Sequence, residues 1–238
     1  MENENEIVNQ EPNEKKWCFS WPAETDMTGK TRAALLTDAK WDSGDRITIS
    51  FLDGDPTVQE RIKEVARQWT APGLANLRLD FRDDTNDTLI RISFRFSGSW
   101  STIGTTCRNV TNRADPTMNY GWLTPNSTPN EVQRVVLHEF GHALGLVHEH
   151  QNPDGGIPWN RENVIRDLSG PPNNWSLGVI ESNMFATVSA DESNFTKTDL
   201  SSIMMYPIPA SWTTNGFSVG LNSNLSDTDK RFIHEQYP

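Results

Sequence analysis

Residues 138 to 150, HEFGHALGLVHEH, hold four of the chain's five histidines beside two glutamates. His138 and His142 are four apart, so on a helix their rings project from one face about one turn apart. Two imidazoles so placed can reach a single tetrahedral zinc at about 2.0–2.1 Å each. Glu139 sits beside the first, where its carboxylate can reach a water at the metal rather than the metal itself, the H-E-x-x-H arrangement. Such a metal still needs a third protein ligand. A continued helix would carry His148, six residues past His142, well off the ligand face. Gly145 removes that obstacle, because a glycine can take positive φ, end the helix and turn the chain so that His148 swings back. His150 is left with a surface or supporting role and His234 with a structural one. The competing reading, solvated histidines on a polar helix face, leaves Gly145 without a purpose.

The elements that must position these residues can be read in order. Arg46 to Leu52 alternates Ile47, Ile49 and Phe51, the pattern of a half-buried strand. A helix follows, with Asp55 as N-cap, Pro56 at its first position and Val58, Ile62, Val65, Ala66 and Trp69 on one face. Asn76 to Phe81 and Leu89 to Phe96 alternate as strands. Ser99, Trp100, Ser101, Thr102, Ile103 and Gly104 form a short polar segment suited to an edge strand, and Thr117 to Leu123 can add one more. Thr128 and Glu131 make a capping box around Pro129, and Val132, Val135, Val136, Phe140 and Leu144 trace the buried stripe of the histidine helix. Beyond Gly145 the chain is turn-rich, with short helices expected at Arg161–Leu168 and Trp175–Phe185. A last helix starts at Ser226, with Asp229 completing its capping box. This order predicts an α/β (α+β) fold, a twisted mixed sheet with two long helices, then a loop-rich C-terminal lobe ending in a helix. The expected division is a polar tail over 1–30 and a catalytic domain over 31–238, with lobes at 31–148 and 149–238. The aromatic stretch at 17–22 is expected to pack back onto the body.

At this point a resemblance emerges. HEFGHALGLVH matches in full the H-E-x-x-H-x-x-G-x-x-H signature of the metzincin zinc peptidases. The segment SSIMMYPIP resembles their Met-turn. Ser202, Met204 and Tyr206, with Glu149 directly after the third histidine, are similar to the astacin-like branch.

The resemblance implies one catalytic zinc on His138, His142 and His148, Glu139 as general base, and a protein or peptide substrate. It implies that Met204 forms an apolar base under the rings and that Tyr206 can hydrogen-bond the oxyanion. It also implies that Ser99 to Gly104 are the strand on which an extended peptide is laid. Glu149 would tie down a matured N-terminus in that family; a salt bridge or a helix-end carboxylate is the alternative. Two other likenesses are weaker. FLDGD is similar to a propeptide segment that places an aspartate on zinc, but Asp53 and Asp55 sit at a strand-to-helix turn where Asp55 caps the helix. Cys18 lacks the surroundings of a latency cysteine. Two rival functions stand beside the peptidase: a gluzincin whose third ligand is Glu162 or Glu192, and a zinc-binding or toxin-like module with weak or no proteolysis.

Composition narrows the remaining classes. The chain has 238 residues and a net charge of −11, which argues against nucleic acid and anionic membrane as partners. No apolar run reaches the roughly 18 residues of a membrane span. The first sixteen residues lack the apolar core of a secretory signal, so the expectation is a cytoplasmic or non-classically exported monomer. Two cysteines, Cys18 and Cys107, allow one disulfide or two free thiols.

Overall fold

The structure is a computed structural model that describes residues 18–21 and 35–238, apart from 85–86, 153–155, 172, 188–192 and 195–197. Most of the expected tail, 1–30, lies outside the described residues, as does Glu192. Eight strands are described: β1 (Cys18–Trp21), β2 (Leu35–Leu36), β3 (Arg46–Phe51), β4 (Arg78–Phe81), β5 (Ile90–Ser93), β6 (Ser99–Thr102), β7 (Met118–Tyr120) and β8 (Ser193–Asn194). The helices are α1 (Pro56–Ala66), α2 (Pro129–Ala143), α3 (Arg161–Ser169), α4 (Leu177–Ile180) and α5 (Asp227–Gln236). The mixed α/β architecture is as expected.

The main sheet runs in the order β1-β6-β7-β5-β3-β4, parallel throughout except where β6 meets β7. Ile47, Ile49, Ile90, Ile92, Met118 and Tyr120 are buried in it. β5 stops short of the expected Phe96. The Asp53 carboxylate takes the Ser93 hydroxyl at 2.7 Å and the Phe94 N–H at 2.8 Å, which ends the ladder in a bend. Phe96 is consequently half exposed.

α1 begins where the sequence places it, with the Asp55 side chain accepting from Thr57 N–H and Pro56 at the first position. α2 is capped by Thr128, whose hydroxyl accepts from Glu131 N–H. It packs beside α1 and against β6, β7 and β1. Val132, Val135, Val136, Leu137, Phe140, Ala143 and Leu144 are all buried, and burying an apolar side chain of this kind contributes about 1.5–3 kcal/mol for each larger residue. A helix this deep needs partners for the carbonyls that its own ladder leaves open. Trp41 Nε1 donates to the Ala143 carbonyl at 2.9 Å and the Tyr237 hydroxyl donates to Leu144 at 2.6 Å. Trp69 Nε1 adds a bond to Leu137 at 2.9 Å. Residues from both ends of the chain therefore fix the helix that carries the histidines.

The cysteine alternatives narrow as well. Cys107 is a free, buried thiol, and burial pushes its pKa up to about 11. Among the described residues no helix is long and apolar enough to cross a membrane.

Candidate active site

His138 and His142 lie one turn apart on the buried face of α2, with Glu139 between them in sequence and equally buried. The helix ends as the glycine predicts. Gly145 has φ +96°, its N–H donates to the His142 carbonyl at 2.8 Å, and Leu146 N–H donates to Gly141 at 2.9 Å. That pair of bonds closes a Schellman turn, and three residues later His148 faces back toward α2. The ligand nitrogens of His138, His142 and His148 all lie within 4.8 Å of one another. Their rings are edge-on or stacked at centroid distances of 4.6–5.3 Å.

Two backbone carbonyls set the tautomers. His138 Nδ1 lies 2.9 Å from the Ile203 carbonyl and His142 Nδ1 lies 2.9 Å from the Leu146 carbonyl. A carbonyl can only accept, so both Nδ1 atoms carry the proton and both Nε2 atoms keep the lone pair. His142 Nε2 and His148 Nε2 then face each other at 3.1 Å. Tetrahedral bonds of 2.0–2.1 Å would separate two ligand nitrogens by about 3.3 Å. His138 Nε2 is buried and makes no hydrogen bond among the described residues. Burial holds the His138 and His148 imidazoles well below their ordinary pKa and brings His142 to about 4, so all three are neutral donors at physiological pH. Three converging neutral imidazoles, two of them with the Nε2 lone pair fixed by a carbonyl at Nδ1, fit a zinc ion.

Around this centre, Ser202 to Met205 form a turn closed by Met205 N–H donating to Ser202 at 3.1 Å. Met204 lies under α2, so close that a β-carbon at Gly141 would collide with its sulfur. Tyr206 is buried, its ring 4.1 Å from that of His148 and 4.7 Å from that of His150. Glu149 is buried too. Its Oε1 accepts from Asp199 N–H at 2.8 Å, and burial raises its carboxyl to about 7.

One placement differs from the sequence reading, and others are sharpened. His150, expected at the surface or in a supporting place, is buried: it is 3% exposed, stacks on Tyr206 and lies 2.8 Å from the Asn183 carbonyl through Nε2. β6 is not the edge of its sheet, because β1 pairs beyond it in parallel, Cys18 opposite Ser99 through Trp21 opposite Thr102. Ser99, Ser101 and Thr102 are buried, and Ile103 and Gly104 lie past the end of the strand. Gly104 has φ +50° and packs under Gly145, where a β-carbon would run into the Ala39 carbonyl. Asp53 is engaged at the end of β5 and Asp55 at the head of α1, as described above, and Glu162 is exposed in the first turn of α3.

A solved structure of myroilysin, a metalloprotease of the astacin family, superposes with a TM-score of 0.82 at 40% identity, over 87% of this chain and 98% of that one. The chain belongs to the astacin-like metzincin zinc peptidases. A crystal structure of myroilysin matches with a TM-score of 0.68 at 36% identity, over 95% of this chain and 92% of that one. High choriolytic enzyme 1, a hatching-enzyme zinc protease of the medaka fish Oryzias latipes, shares the fold at a TM-score of 0.57 and 19% identity, over 87% of this chain and 98% of that one. No family profile and no curated protein sequence matches the chain. As an astacin-like peptidase the protein uses one catalytic zinc, which fits the three-histidine cluster, and acts on protein or peptide substrates.

Proposed function

We propose that the chain is a zinc-dependent endopeptidase in which His138, His142 and His148 hold the metal and Glu139 is the general base. The observation that carries this reading is the convergence of three neutral imidazoles, two of them locked by carbonyls at Nδ1. When bound, zinc supplies Lewis acidity, polarising the scissile carbonyl and making water a nucleophile near neutral pH. Glu139, next to the first ligand on α2, takes the proton of the attacking water and passes it to the leaving amine. The Tyr206 hydroxyl donates to the oxyanion that develops on the scissile carbonyl. Met204 gives the imidazoles an apolar floor, and Gly145 brings His148 into place.

β6 supplies the backbone on which an extended peptide is laid by strand addition. The side of β6 away from β7 is the one that β1 holds, so a substrate strand needs β1 to leave. The catalytic unit is read as residues 31–238, with lobes meeting at His148, acting as a monomer without nucleic-acid or membrane partners.

The test is incubation of purified, zinc-loaded protein with a quenched-peptide library, with and without phenanthroline. Chelator-sensitive cleavage is expected. Absence of cleavage of any peptide would favour the zinc-binding module instead.

A further inference from the structure

The His138 ring is oriented by the carbonyl of Ile203, 65 residues further along the chain. That carbonyl belongs to the peptide unit whose N–H is Met204's, and Met204 N–H donates to Ser202 Oγ at 3.0 Å. The Ser202 hydroxyl in turn donates to Asp229 Oδ1 at 2.7 Å. An unbroken line of hydrogen bonds therefore runs from His138 Nδ1 through one peptide unit and one hydroxyl to a carboxylate on α5. The second carboxylate oxygen grips the same turn, accepting Ile203 N–H at 2.9 Å as well as Ser226 N–H at 2.9 Å.

Capping α5 accounts for only part of this. The capping box needs the Ser226 contacts alone, and those can be made at the surface. Asp229 is instead buried, and two of its three accepted bonds go to the turn beneath the histidines. We propose that Asp229 is a positioning residue of the metal centre, holding the Ser202–Met204 turn and polarising the Ile203 carbonyl against His138. Hydrogen bonds in such a line strengthen one another. A stronger acceptor at Nδ1–H makes Nε2 a better donor, the means by which outer partners tune a metal ligand. The inference rests on His138 being a ligand, as the proposed function has it.

The experiment measures zinc affinity by chelator competition, the visible spectrum of the cobalt(II)-substituted protein, and the melting temperature without metal. The variants are D229A, D229N, S226A and H138A. D229A should lose about 10–100-fold in zinc affinity, the usual cost of removing an outer partner, and shift the cobalt bands. D229N keeps an acceptor for the two N–H groups but no charge, and should show a smaller loss with the same spectral trend. S226A should lower the melting temperature while leaving zinc affinity within about twofold, because the line to His138 is intact.

Zinc affinity and cobalt bands unchanged in both D229N and D229A would overturn the proposal, as would an equal loss in S226A. Should D229A fail to fold, D229N decides alone. Undiminished zinc binding by H138A would instead remove the ligand assignment on which the inference stands.

Discussion

The Tyr206 ring is stacked on His150 at 4.7 Å and lies tilted against His148 at 4.1 Å, with the ring of His138 a further step away at 5.9 Å. That stack fixes the plane of the phenol and leaves its hydroxyl as the chemically useful end. Tyr206→Phe keeps the packing and removes only the donor. It should retain zinc and lower kcat by about 10²–10³-fold with KM little changed, the cost of one lost oxyanion donor; an unaltered kcat would exclude the role. The ligands and Gly145 were legible in the sequence because side-chain type and spacing define them. The groups that orient the ligands were not. Ile203 and Leu146 act through backbone carbonyls, and a carbonyl leaves no mark on residue type. Gly141 occupies a variable slot of the motif, and the Met204 side chain and the Trp69 ring against it explain the glycine. His150 was open to a surface or a supporting place, and the contacts that bury it, Tyr206 and Asn183, are both remote in sequence.

Among the elements, β6 and β1 bear on the proposed seat of the peptide. β6 was recognisable as a short polar strand, yet the strand beyond it was not. Cys18–Trp21 is only four residues long, and its partner lies about eighty residues away, so no local periodicity announces the pairing. The helices were legible because Asp55, Thr128 and Ser226 mark their starts, whereas β5 ended early for a reason located in the bend after β3, the Asp53 carboxylate. The β1–β6 ladder covers polar backbone that a sheet edge would otherwise present. A protein lacking residues 1–34 should therefore bind extended peptides better and cleave them with a several-fold higher kcat/KM. Peptide kinetics on the shortened and full chains make the comparison, and equal values would mean that β1 does not compete with substrate.

At the scale of the whole molecule, one hydrophobic core runs from Trp41 to Tyr237, and the metal site lies inside it rather than on it. This has a price in acid. Burial depresses the pKa of His138, His142, His148 and His150, the second and fourth to about 4. Their unfolded pKa is about 6.5, so as pH falls below that value the unfolded chain takes up protons that the folded one refuses. The metal-free protein should lose stability between about pH 6.5 and 4, by up to ~1.4 kcal/mol per pH unit for each histidine. Glu149 and Asp229, whose pKa values burial raises, work in the opposite direction, and four imidazoles against two carboxyls leave a net loss. Denaturant midpoints that stay flat from pH 7 to 5 would contradict this. Zinc should raise the melting temperature, since it binds the folded chain. Metal binding and proton transfer are separated by the single variant Glu139→Gln. Zinc content and peptide turnover measured on the same purified sample should give an undiminished metal load with turnover reduced by about 10²–10⁴-fold; a zinc-loaded variant that cleaves peptides as fast as the wild type would contradict it.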